Sequence, residues 1–150
     1  MMEVTLVSRR AETVKSLQDV AAQRMLGAVI LVKNATVETL TGQRHGRMYK
    51  VPTTGRGRIG EGRSKAGTGV WYRASAPGEA PAVRLDALRG SVDYKVHGEG
   101  KTIMGDVGTR LPYGKHLEYG TLRMSARPWL RKTFEACTEQ IIALWRRPWL

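Results

Sequence analysis

The chain has one cysteine, Cys137, and one phenylalanine among 150 residues. A single thiol excludes an intramolecular disulfide and a thiolate metal cluster, and it fits a reducing compartment. Acidic residues are also scarce: 13 Asp and Glu stand against 25 Lys and Arg, giving +12 and a pI near 10.4. Such a balance favours acidic partners, whether nucleic acid, an anionic surface or an acidic protein face, and it is also compatible with a merely solvated surface. No window approaches the roughly 18 apolar residues of a membrane span. The opening MMEVTLVSRR lacks the apolar core and small-residue cleavage site of a signal peptide. Synthesis in the cytoplasm, with no membrane partner, is the expectation.

Catalytic patterns are missing as well. There is no G-x-S-x-G and no P-loop. His45, His97 and His116 are dispersed, with no metal-ligand spacing around them. Cys137 falls on the apolar face of an expected helix, where packing explains it better than nucleophilic chemistry. Neither an active site, a metal site nor a cofactor site is expected. One glycine motif needs a separate answer: residues 55–60, GRGRIG, spell G-x-G-x-x-G. A dinucleotide fingerprint requires a hydrophobic strand before it and an amphipathic helix after it. Here Val51-Pro-Thr-Thr precedes and Glu61-Gly-Arg-Ser-Lys-Ala-Gly follows, so both contexts fail.

What is present reads as one α+β domain. After a β-prone start at Val4 and Leu6, residues 9–41 carry Val14, Leu17, Ala21, Met25, Ala28, Val32 and Ala35 at helical spacing. The pattern predicts a long N-terminal helix, whole or broken once, with Ser8 as N-cap and Gly42 at its end. Gly27 within it suggests close packing. Residues 43–51 and 69–75 read as strands around a long basic loop at about 52–69, whose candidate DNA- or partner-facing residues are Arg44, Arg47, Lys50, Arg56, Arg58, Arg63 and Lys65. Residues 74–83, holding Pro77 and Pro81, form an extended connector. A helical turn near Leu85 and Leu88 leads to a strand with alternating Val92, Tyr94 and Val96, a turn at 98–101, and a strand with Ile103 and Val107. The expected sheet is an antiparallel meander. A short connection closes at Gly120, and a C-terminal helix packed on the sheet runs from Pro128 to Pro148, its apolar face carrying Leu130, Phe134, Cys137, Ile141 and Leu144 or Trp145. Trp145, Trp149 and Leu150 are candidate subunit anchors, needing a pocket within the subunit or on a neighbour. Arg127-Pro-Trp-Leu130 returns as Arg147-Pro-Trp-Leu150, a chance reuse rather than a repeat, since the surrounding residues differ.

Two blocks are more distinctive. One holds Ser75, Pro77, Gly78, Glu79, Pro81, Leu88, Arg89 and Ser91; the other holds Tyr113, Glu118, Gly120, Thr121, Ala126, Arg127, Pro128, Trp129 and Leu130. Together they resemble the signature blocks of the tail-completion, or neck, proteins of long-tailed bacteriophages, a family also described as a minor tail component. In that family Ser-x-Pro-Gly-Glu-x-Pro leads to Thr-Gly-x-Leu-Arg-x-Ser, and Tyr-x-x-x-x-Glu-x-Gly-Thr leads to Ala-Arg-Pro-aromatic-Leu. This chain departs at the Thr-Gly, where Leu85-Asp86-Ala87 stands before Leu88. The resemblance covers most of the chain, and only the 52–69 loop looks individual. It implies a non-enzymatic virion protein: a subunit of a homo-oligomeric ring, a hexamer favoured, that completes the tail and joins it to the DNA-filled head. Head-closure, tail-terminator or tail-tube proteins would be its neighbours, with non-specific contact to transiting DNA. The residues themselves suggest structural roles, including a buried pairing of Glu118 with Arg127 or Arg123. The competing expectation is a general nucleic-acid-binding protein that uses the Arg/Gly-rich loop.

Overall fold

In the computed structural model the described residues are 10–52, 69–82, 86–99 and 102–149. Ser8, Arg56, Arg58, Arg63, Lys65, Leu150 and the GRGRIG motif lie outside them.

Helix α1 runs unbroken from Arg10–Thr41, as its apolar spacing predicts. Gly42 closes it by donating its N–H to the Glu38 carbonyl at 3.1 Å. Thr36, fully buried on this helix, is satisfied by a 2.7 Å hydrogen bond to the Val32 carbonyl one turn back. Strands β1 (Met48–Pro52) and β2 (Gly69–Arg73) pair antiparallel, with Tyr49 opposite Tyr72 and Val51 opposite Val70. The short helix α2 (Ala87–Gly90) leads into β3 (Val92–Glu99), which pairs antiparallel with β4 (Thr102–Thr109). Helices α3 (Gly114–Tyr119) and α4 (Arg131–Arg146) complete the chain.

The α+β class and the order of elements match the sequence reading, but the strands form two separate hairpins, not one meander. The reason lies in the connector at 74–82. Pro77 and Pro81 have no N–H to give a ladder, and Gly78 takes φ +80° to turn the chain away from β2. Several boundaries also move, and β2 ends at Arg73 rather than residue 75. The first strand starts at Met48 rather than residue 43, β3 runs on to Glu99 within the expected turn, and α4 begins at Arg131, leaving Pro128 outside the helix. Gly100-Lys101-Thr102 is the chain's one Gly-Lys-Thr. It has Lys95 where a P-loop needs its first glycine, and Thr102 opens a strand rather than a helix.

Helices α1 and α4 lie antiparallel: the Thr133 hydroxyl donates to Thr39 Oγ1 at 3.1 Å near one end, and Gly27 faces Leu144 near the other. Gly27 is not needed for this packing, since a Cβ there would meet Leu144 at an ordinary 3.9 Å. The β3–β4 hairpin lies against the same helix. At Gly105 an added Cβ would sit 2.5 Å from Val29 Cγ1 and 2.8 Å from Met25 Sδ, so only glycine lets β4 approach α1 this closely. The core gathers Leu40, Ala80, Leu88, Val92 and Trp129, the last only 2% exposed. Ala80 and Leu88 come from the first sequence block and Trp129 from the second, so this core joins the two.

Candidate functional site

Most residues of the two blocks bind backbone. Glu118, on α3, accepts the N–H groups of Trp129 (2.8 Å), Leu130 (3.0 Å) and Arg131 (2.9 Å) on its two carboxylate oxygens. These are donors at the start of α4 that no helical carbonyl can reach, so a residue eleven positions upstream of Trp129 caps the helix. The expected pairing of Glu118 with Arg127 or Arg123 is therefore corrected. The carboxylate faces helix-start amides, while Arg127 Nε is buried with no hydrogen-bond partner. Gly120, at φ +79°, makes the turn after α3, and a Cβ there would meet Ala126 N and Met124 O at 2.8 Å. Thr121 pairs with Met124 across that turn and Tyr113 is exposed. Leu130 and Pro128 are half-buried on either side of Trp129, whose indole N–H donates to the Gly114 carbonyl at 3.3 Å.

In the first block, Glu79 accepts the N–H of Ala76 (2.8 Å), the N–H of His45 (3.1 Å) and a 2.7 Å contact from His45 Nδ1. These bonds, the Ala76 amide first and then those from His45, lower its pKa to about 2. Gly78 donates its N–H to the Ala126 carbonyl (3.0 Å) and accepts Lys132 Nζ on its own carbonyl (2.8 Å), which ties the two blocks together. Ser75 is buried with its hydroxyl unpartnered, and Pro77 is exposed. Arg89 pairs with Asp86, and Ser91 Oγ lies 2.6 Å from Thr109 Oγ1. Asp86 adopts φ +60°, the left-handed region, at the position that the resembled pattern gives to glycine. The departure from that pattern therefore leaves the turn in place.

Arg44 is not a free loop cation. Its guanidinium donates to the carbonyls of Thr39 (2.7 Å), Leu40 (3.0 Å) and Pro81 (3.1 Å), closing the C-terminal end of α1 onto the connector. Arg47 lies over the Tyr49 ring at 5.7 Å, and Lys50 is exposed on β1. Of the expected C-terminal anchors, Trp145 and the partly exposed Trp149 make contacts within the subunit. Trp145 and Trp149 lie 5.7 Å apart, and the Arg24 guanidinium sits 4.2 Å over Trp149 while donating to the Trp145 carbonyl at 3.1 Å. Cys137 is buried in α4, and burial pushes its thiol pKa up, away from the reactive thiolate. Phe134, expected on the buried face of α4, is 53% exposed.

Among the described residues an exposed apolar hairpin and an open groove stand out, and the sequence reading identified neither. The first is the β1–β2 hairpin, where Trp71 is 62% and Val70 61% exposed, beside exposed Met48 and Tyr49. A two-stranded hairpin with no third strand is marginal in water, so such a ribbon is normally completed by packing. The second is an open groove of about 590 Å³. Its floor is Met25, Val29 and Val32 of α1, of which Val29 and Val32 are already buried, one wall is β4 at Gly105–Val107, and the other carries Phe134 and Trp145 of α4. Tyr119, 79% exposed, stands at its rim. Among the described residues no strand pairs with the outer edge of β4, which borders this groove. The residue-level signal was available in part: MYKVP and GVWYR each place apolar side chains on both faces, one face more than an isolated hairpin can bury.

Comparison with protein-family models, curated proteins and solved structures finds no match for this chain.

Proposed function

We propose that this chain is a structural subunit of a long-tailed phage neck, a ring protein that completes the tail and joins it to the DNA-filled head. One observation carries the reading. The residues that bear the family resemblance are used in capping and cross-tying a scaffold, while large apolar side chains such as Val70 and Trp71 of the β1–β2 hairpin, Tyr119 and Phe134 stay exposed. Glu79, Gly78, Glu118, Gly120 and Trp129 each hold backbone or core in place. Chemistry of this kind serves association rather than turnover, and it suits a virion protein whose neighbours in the neck are other rings, such as head-closure, tail-terminator or tail-tube proteins. Electron microscopy of particles made without the chain tests it. Filled heads and separate tails support the reading, and joined, infectious particles refute it.

A second reading has a specific observation behind it. Trp71 is exposed on the same hairpin face as Lys50 and Arg73, and Arg47 stands at the hairpin's base. An aromatic platform flanked by cations suits nucleic acid, with bases stacked on the ring and phosphates on the cations. In that case purified protein should bind DNA with a steep salt slope and keep binding near 150 mM salt. Negligible binding there favours the neck role.

A further inference from the structure

We infer that the β1–β2 hairpin is a hinged arm, latched in the observed position by the Glu79–His45 and Tyr72–Ala82 ties and able to swing about a pivot at Gly46 and Ser75. Such an arm goes beyond both functional readings and depends on neither. Met48 and Trp71 lie on one face of the hairpin and Tyr49 and Val70 on the other, and all four are exposed. A ribbon with both faces in water is aimed from its base. On the body side the chain is fixed. Ala80 is part of the core, Gly78 is tied through its N–H to Ala126 and through its carbonyl to Lys132, and Arg44 binds the Thr39, Leu40 and Pro81 carbonyls. The connector from Ala76 to Pro81 therefore belongs to the body, and the arm begins before it.

Gly46 and Ser75 form the pivot. A Cβ on Gly46 would sit 2.5 Å from the Ala74 carbonyl oxygen and 2.8 Å from that of Ser75, so the two passes of the chain touch there. Ser75 is 3% exposed and its hydroxyl has no hydrogen-bond partner. A buried unpaired hydroxyl is a cost carried by the latched position, and a change of angle at the pivot relieves it. Glu79 and Tyr72 offset that cost. The Glu79 carboxylate reaches from the body to the His45 N–H at 3.1 Å and to His45 Nδ1 at 2.7 Å, and the Tyr72 hydroxyl reaches from the arm to the Ala82 carbonyl at 3.1 Å. Room for the movement is present. An open cleft of about 450 Å³ lies between Trp71, Tyr72 and Arg73 of β2 and the end of α1 from Leu40 to Arg44. Closing it carries Trp71 toward α1 and leaves the core untouched, since a hinge absorbs the change in a few loop residues.

Distances between two spin labels on the full chain test this. Val70→Cys marks the arm and Gln140→Cys the exposed side of α4, while the native Cys137 is buried. With the latch intact the pair should show one narrow distance, the swung position staying at about 10% or less. His45→Ala with Tyr72→Phe removes the side-chain ties yet leaves Glu79 on the Ala76 amide, and should raise the population of a second distance at least ~threefold. Tyr72→Phe alone, the milder change, should give the same second distance at a smaller population. Adding Ser75→Ala to the double variant should shift the population back, because the latched position no longer buries an unpaired hydroxyl. Hydrogen exchange on the same variants reads whether the arm moves whole, with β1 and α1 both staying protected. An unchanged single distance in the double variant overturns the inference, as does a swung population that grows with Ser75→Ala. Loss of protection in β1 would mean that the hairpin unravels rather than swings, and loss in α1 that the ties brace the whole fold; either result also overturns it.

Discussion

Replacing Glu118 with alanine should destabilise the fold more than any other single surface-carboxylate change, because one side chain serves three backbone donors. Its oxygens accept N–H groups at 2.8, 3.0 and 2.9 Å, from Trp129, Leu130 and Arg131. A hydrogen bond to a charged group contributes about 1.5–3 kcal/mol, but three bonds sharing two oxygens are not additive, and water reaches the outermost amide once the carboxylate is gone. An expected loss of about 3 kcal/mol follows, above the roughly 0.5–2 kcal/mol of an ordinary helix cap because three donors share the carboxylate and the Trp129 amide lies against the core. For a chain of 150 residues that corresponds to a fall in Tm of about 6–12 °C. Glu118→Gln keeps one acceptor oxygen but turns an amide N–H toward a backbone donor, so it should lose roughly half as much. Urea denaturation at neutral pH, with Arg127→Ala as comparison, is the assay. If Glu118→Ala lies within about 1 kcal/mol of wild type, or if Arg127→Ala is the more damaging change, the capping account is wrong and the arginine pairing returns.

Three further outcomes are expected. Gly105→Ala forces a methyl into Val29 and Met25 and should cost about 1–3 kcal/mol by chemical denaturation, whereas Gly27→Ala, with open contact at 3.9 Å, should be neutral or stabilising. Glu79 has its pKa lowered from 4.5 to about 2, so its contribution is present above pH 4.5 and is lost as the pH falls toward 2; Glu79→Gln should flatten urea midpoints against pH across that window, and an unchanged slope would contradict the assignment. Arg24→Ala removes the cation over Trp149 and the donor to the Trp145 carbonyl, so the C-terminal tail should gain hydrogen exchange and the tryptophan emission should shift to the red while the core stays protected.

The parts of the fold that the sequence makes legible are those set by local periodicity. The 3.6-residue spacing from Val14 to Ala35 gives α1, and the alternation of Val92, Tyr94 and Val96 gives β3. Gly42, Gly78 and Gly120 mark turns because the backbone there must bend or go left-handed. Partner choice over long separations is not legible in this way. Arg44 reads as one more cation of a basic loop, yet its guanidinium reaches the carbonyl of Pro81, 37 residues away. Glu118 reads as half of an ion pair, and only the fold brings the first amides of α4 to it. The division into two hairpins depends on where the connector at 74–82 carries the chain, which no strand pattern encodes. The candidate surfaces were hidden for the same reason. Phe134 and Trp71 carry core-like chemistry, and whether such a residue is buried at home or offered outward depends on the neighbours the fold supplies.

The central claim is that this chain joins finished tails to filled heads, and the most direct measurement is negative-stain electron microscopy of particles assembled with and without it. The account predicts filled heads beside free, full-length tails when the chain is missing, and joined particles when it is restored. Joined, infectious particles in its absence would contradict the claim outright.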